Sequence, residues 1–154
     1  MKKLALTTCA VAVLAGSAAA QFDVNIQIRN GDFFSPNDNS VKVIQLSDGS
    51  TAAEFAIGSF QNISGSLHEF NETVNLAAGD YQLQIFDAFG DGINDTSVLV
   101  DITNVTTSDD ILSSAFSFGS FSSTVPATVD FTVIPAPGAA AFAILVGFGT
   151  ARRR

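Results

Sequence analysis

Three segments of this chain alternate apolar and polar residues, and that period of two constrains the fold more than any other feature. In "DVNIQIRN", Val24, Ile26 and Ile28 alternate with Asn25, Gln27 and Arg29. "DYQLQIFD" sets Tyr81, Leu83 and Ile85 against Gln82 and Gln84, and "VDFTVI" sets Phe131 and Val133 against Asp130 and Thr132. Successive side chains of a strand point to opposite faces, so each segment predicts a strand with one buried face. Residues 41–46, 52–60, 67–76, 97–104 and 111–118 are further predicted strands.

Turn-forming clusters punctuate them: "NGD" at 30–32, "SPNDNS" at 35–40, "SDGS" at 47–50 and "AAGD" at 77–80. No stretch between the two ends of the chain sustains a helical period. About eight short strands with such turns predict an all-β fold, an antiparallel β-sandwich or jelly roll. Twelve of the 14 phenylalanines lie in residues 21–133, enough apolar mass to fill the space between two sheets. Within "AFSFGSFSS", Phe116 and Phe118 share a face, and a bulge at Gly119 would re-aim Phe121. An exposed platform for stacking on sugars is the alternative use of these rings.

The two ends read differently. "MKKLALTTCAVAVLAGSAAAQF" has Lys2 and Lys3, an apolar run, and small residues Ala18 and Ala20 before Gln21, the form of a signal peptide over residues 1–20. Cys9, the single cysteine, precedes most of that run, which argues against lipidation at the cleavage point. The mature chain is then without a thiol, which excludes disulfides and thiolate chemistry. At the other end, residues 138–151 carry no charge. As a helix rising about 1.5 Å per residue they would reach about 21 Å, short of a hydrocarbon core of about 30 Å. Arg152, Arg153 and Arg154 follow, and the positive-inside rule keeps them cytoplasmic during a transient membrane insertion.

Residues 21–133 have the length of one domain. All 15 acidic residues fall there with only Arg29 and Lys42 as basic ones, so its net charge is near −13 (2 minus 15). A basic patch for nucleic acid is excluded, while cations and polar surfaces suit it as partners. Solubility of an exported domain also accounts for the exposed acids.

The segment with most chemical content is "GDYQLQIFDAFGDGINDTSVLVDI". Asp87, Asp91, Asn94 and Asp95 stud a loop between two strands, and Gly90 and Gly92 permit tight backbone. Calcium takes six to eight oxygens from such groups, which makes the four residues a candidate calcium site. An EF-hand would place Asp87, Asp91 and Gly92 at positions 1, 5 and 6, but Phe89 and Val98 stand where positions 3 and 12 need ligands. The alternative is a polar hairpin turn whose Asp and Asn side chains cap their own backbone.

Other candidates are thinner. His68, the one histidine, lies near Ser64, Ser66 and Glu69, yet no Gly-x-Ser-x-Gly elbow is present and zinc has too few ligands. Paired carboxylates keep a small secreted hydrolase as a remote alternative. Four Asn-x-Ser/Thr triplets begin at Asn62, Asn71, Asn94 and Asn104, a number that chance explains in a chain rich in these residues.

Two stretches carry resemblances. Pro135-Ala136-Pro137-Gly138, the apolar run and the terminal arginines together resemble the PEP-CTERM sorting signal of bacterial exosortase substrates, in a Pro-Ala-Pro variant, over residues 134–154. The resemblance implies two processing partners, signal peptidase and an exosortase-like membrane protease. It also implies a final location at the cell surface or in an extracellular polysaccharide matrix. Residues 79–94 resemble a motif of secreted β-sandwich modules, Gly-x-Tyr-x-hydrophobic-x-hydrophobic-x-Asp-x-aromatic-Gly-Asp-Gly-Ile, which implies an extracellular module without a catalytic residue. The expected protein is a non-enzymatic surface or matrix protein with a structural or adhesive role; the alternative is a calcium-dependent polysaccharide- or ligand-binding module.

Overall fold

The computed structural model describes residues 20–30, 38–65, 67–90, 98–118 and 121–135. These form nine strands and no helix: β1 (Gln21–Asn30), β2 (Asn39–Gln45), β3 (Thr51–Phe55), β4 (Gln61–Ser64), β5 (Leu67–Ala77), β6 (Gly79–Asp87), β7 (Val98–Asn104), β8 (Asp109–Phe116) and β9 (Ala127–Val133). All pairings are antiparallel. One sheet has the order β4-β5-β1-β7-β8 and the other β3-β2-β6-β9.

The alternating sequences bury the faces they predict. Val24, Ile26 and Ile28 of β1 meet Val98, Val100 and Ile102 of β7, all with 0% exposure, against Val41, Val43, Leu83 and Ile85 of the facing sheet. Burying such side chains stabilises by about 1.5–3 kcal/mol each, so these rows are the principal source of the fold's stability.

Phenylalanines close the two open sides. On one side Phe55 of β3 meets Phe70 of β5 edge to face at 5.0 Å, and Phe60 lies 5.5 Å from Phe70. On the other, Phe116 stacks on Phe118 at 5.6 Å, and Phe118 meets Phe121 at 6.4 Å. Phe121 is buried and its two neighbours are half-buried against the core. These three rings fill the sandwich and do not form an exposed platform.

Two expectations need correcting. The predicted strand 52–60 ends at Phe55, because residues 56–60 are the connection by which the chain leaves one sheet and enters the other at β4. Gly58 turns at φ +91°, a left-handed conformation, while Ser59 Oγ donates to the Ala56 carbonyl at 2.6 Å. The loop after Asp87 is not a hairpin either, since β6 and β7 belong to different sheets.

Both described chain ends leave from the same end of the sandwich. Gln21 pairs with Ala77 and Val133 pairs with Gly79, so the two ends flank the single residue that joins β5 to β6. The buried phenol of Tyr81 donates to the Ala77 carbonyl at 2.9 Å and fixes that turn. Residues 1–19 of the expected signal peptide and 136–154 of the expected sorting signal lie outside the described residues.

The outer faces are polar and laced across strands. Asn25 Nδ2 donates to Asn71 Oδ1 at 2.8 Å, Asn75 Nδ2 to Asp23 Oδ1 at 2.8 Å, and Gln27 to Glu69. Arg29 pairs with Asp101 at 2.5 Å and Lys42 with Glu54 at 2.9 Å, which engages both basic residues of the domain. The Ser113 hydroxyl and then Arg29 hold the Asp101 carboxyl below its ordinary value of 3.8.

Phe70→Ala should cost about 3–5 kcal/mol in urea denaturation, since it empties a site with 0% exposure. Phe89→Ala, at a side chain 81% exposed, should stay within about 0.5 kcal/mol. Asp101 contributes stability above its ordinary pKa of 3.8, and that contribution vanishes as pH falls through the lower folded value. The destabilisation of Asp101→Asn relative to wild type, read at pH 7, should therefore shrink in melts taken below pH 3.8.

Candidate functional site

The inward row of β6 does not end with Ile85. Period two carries it to Asp87, which is 1% exposed at the end of the sandwich opposite Gln21 and Val133. Asn39, its partner on β2, begins that strand's inward row and is 3% exposed. Asp38, one residue earlier, is 6% exposed. The register of two neighbouring strands thus brings two shielded carboxylates and an amide to the root of one loop.

Hydrogen bonds tie this cluster to the loop. Asn39 Nδ2 donates to Asp38 Oδ1 at 3.0 Å, and the Ala88 amide donates to the Asp38 carbonyl at 2.9 Å. The Phe89 amide donates to Asp87 Oδ1 at 2.9 Å, an Asx turn. Gly90 follows at φ +77°, a left-handed turn that a side chain would strain. Self-capping of the backbone by Asp87, expected for a polar turn, is therefore present in a loop that bridges two sheets.

Burying a carboxylate is costly without hydrogen bonds or a neighbouring cation. Carboxylate, amide and carbonyl oxygens are also the donors a hard divalent cation prefers. Among the described residues no group of three or more His, Cys, Asp or Glu is placed to hold a metal ion. Of the expected ligands Asp87 is described; Asp91, Asn94 and Asp95 lie outside the described residues. Sequence reasoning missed Asp38 and Asn39, which fall in a cluster read as a turn. Extending the β2 row backwards by period two from Val41 would have found Asn39.

The remaining candidates separate. His68 faces inward at 9% exposure, whereas the adjacent Glu69 faces outward and accepts from Gln27. The two therefore point to opposite faces of β5 and do not form a relay. Asn104 is 3% exposed and its Oδ1 accepts from the Thr107 amide at 3.2 Å, so it offers no surface for a glycan. Asn62 and Asn71 are exposed, and Ser66 and Asn94 lie outside the described residues. At the expected processing sites, Ala20 is exposed, Gln21 opens β1 and Pro135 is exposed; Ala18, Ala136, Pro137, Gly138 and Arg152–Arg154 are outside the described residues.

A cleft of about 220 Å³ lies beside the Asp38–Asp87 cluster on the outer face of the four-stranded sheet, lined by Asp38, Ser40, Lys42, Glu54, Ile57, Phe86, Ala88 and Ser123. Two larger clefts, of about 550 and 410 Å³, flank Asp130–Thr132 at the opposite end. Comparison of the chain with protein-family models, curated proteins and solved structures gives no match. Its function is therefore argued from its own residues.

Asp87→Ala removes the acceptor of the part-buried Phe89 amide and should lower stability by about 0.5–1.5 kcal/mol. Asp87→Asn keeps an acceptor oxygen and should lose less, a ranking that chemical denaturation of the two variants reads directly.

Proposed function

We propose that this chain is an exported, non-enzymatic protein of the cell surface or extracellular matrix, with a structural or adhesive role. A signal peptide over residues 1–20 directs export, signal peptidase cuts before Gln21, and residues 134–154 act as a PEP-CTERM-type sorting signal for an exosortase-like protease. The observation that carries the reading is the position of the domain's ends. Gln21 and Val133 flank the same β5–β6 turn, so leader and tail leave from one end of the sandwich. Such a domain stands on a membrane-held tail with the connections that hold Asp38, Ala88 and Ser123 facing away, while the β2–β3 and β7–β8 turns lie beside the tail, and its laced polar faces suit a hydrated envelope.

Intact-mass analysis of the protein secreted by a bacterium with an exosortase system tests this reading. The expected product starts at Gln21 and lacks Arg152–Arg154, and deletion of the three arginines leaves an uncut precursor. A cytoplasmic product with the full-length mass would sink the proposal.

A second reading, a calcium-dependent binding module, is favoured by the burial of Asp38 and Asp87 together at the root of the 88–97 loop. Calcium would neutralise the carboxylates and brace the loop. Binding to the native state alone adds about 2.7 kcal/mol at a hundredfold excess over Kd, or on the order of ten degrees in Tm for a domain of this size. Melts in millimolar calcium and in EDTA should differ by that amount and coincide in an Asp87→Asn/Asp91→Asn variant. Coincident wild-type melts would remove calcium from the account and leave the structural role.

A further inference from the structure

We infer that the 220 Å³ cleft beside the Asp38–Asp87 cluster is a binding site for one neutral sugar unit of an extended polysaccharide. This deepens the matrix reading above and rests on it. The volume is below the roughly 300–1,000 Å³ of pockets that enclose drug-sized ligands. The cleft therefore takes a single ring of a chain that continues over the surface.

The lining selects the chemistry. Phe86, Ile57 and Ala88 give an apolar wall, while Ser40 and Ser123 contribute hydroxyls, Asp38 and Glu54 carboxylates, and Lys42 an ammonium. Lys42 Nζ lies 2.9 Å from Glu54 Oε1 and 5.6 Å from the centre of the Phe86 ring. Its three N–H donors exceed what these two contacts use, which leaves donor capacity for a ligand. An anion in the cleft would meet Asp38 and Glu54, and a cation would meet Lys42. A purely apolar ligand would strip water from the ion pair without replacing its hydrogen bonds. A neutral polyol matches every element, with C–H faces against Phe86 and Ile57 and hydroxyls that both donate and accept. Phe89, one residue beyond the lining residue Ala88 and 81% exposed, offers a ring for a neighbouring unit.

Position supports the same occupant. Asp38, Ala88 and Ser123 belong to the connections at the end of the sandwich opposite Gln21 and Val133, so the cleft stays open when the chain is held by its tail.

The test is affinity electrophoresis of the full chain in a sugar-free polyoxyethylene detergent, through gels containing dextran, a soluble β-1,3-glucan, a galactomannan or a xylan. At least one polymer should retard the wild type. Lys42→Gln/Glu54→Gln, at side chains 33% and 57% exposed, should keep the fold by thermal melt and weaken retardation by about tenfold or more. Asp80→Asn, at the far end, should behave as wild type. No retardation by any neutral polymer, equal retardation of the double variant, or retardation by alginate alone would each overturn the assignment. Because the assay reads purified protein, its failure leaves the processing experiment standing, and a failed processing experiment leaves its result unaffected.

Discussion

The phase of the inward rows governs everything else in this molecule. With side chains alternating at a period of two, a slip of β1 by one residue would send Val24, Ile26 and Ile28 to solvent and Asn25, Gln27 and Arg29 into the core. The register of β1 with both β5 and β7 prevents this, since β1 is held over ten residues on one side and six on the other. The facing sheet is locked in the same way through β6, between β2 and β9. Once both sheets are in phase, their apolar faces can only be buried against each other.

What happens where the rows run out is equally informative. Three of them finish in polar residues: Asn39 on β2, Asp87 on β6 and Asn104 on β7, none more than 3% exposed. At β6 and β7 the terminal side chain turns back to accept a hydrogen bond from the following loop, at Phe89 and Thr107 respectively. At β6 and β7 the core therefore gives way to its connections through polar side chains that satisfy loop amides. The edge pairings use another device: those of β3, β4 and β8 each contain a register shift, which twists an edge away from further pairing.

Strands with a period of two were legible from the sequence because that signal is local, and β1, β6 and β9 could be placed almost residue by residue, whereas β4, exposed throughout, carries no such period and was missed. The end of β3 at Phe55, inside residues 52–60, was not legible, because an apolar run reads the same whether it stays in one sheet or crosses to the other. Only Gly58 hinted at the crossing. The acidic loop was visible as chemistry, yet its setting was not. A hairpin and a bridge between sheets have the same spacing, and the pairing that brings Asp38 beside Asp87 spans about half the domain. The phenylalanines near residue 118 were legible as core filling because that is the usual fate of large apolar rings, and the closure of β8 onto β9 needed them.

The placement of Gln21 and Val133 at one end of the sandwich has a mechanical consequence. A load held at the loops of Asp38, Ala88 and Ser123 and resisted at Val133 would run parallel to the strands. Hydrogen bonds in antiparallel ladders lie across that direction, so the seven residue pairs joining β6 and β9 would be loaded together, in shear, instead of opening one after another. Such a domain yields late under tension, a property that the proposed envelope role would use.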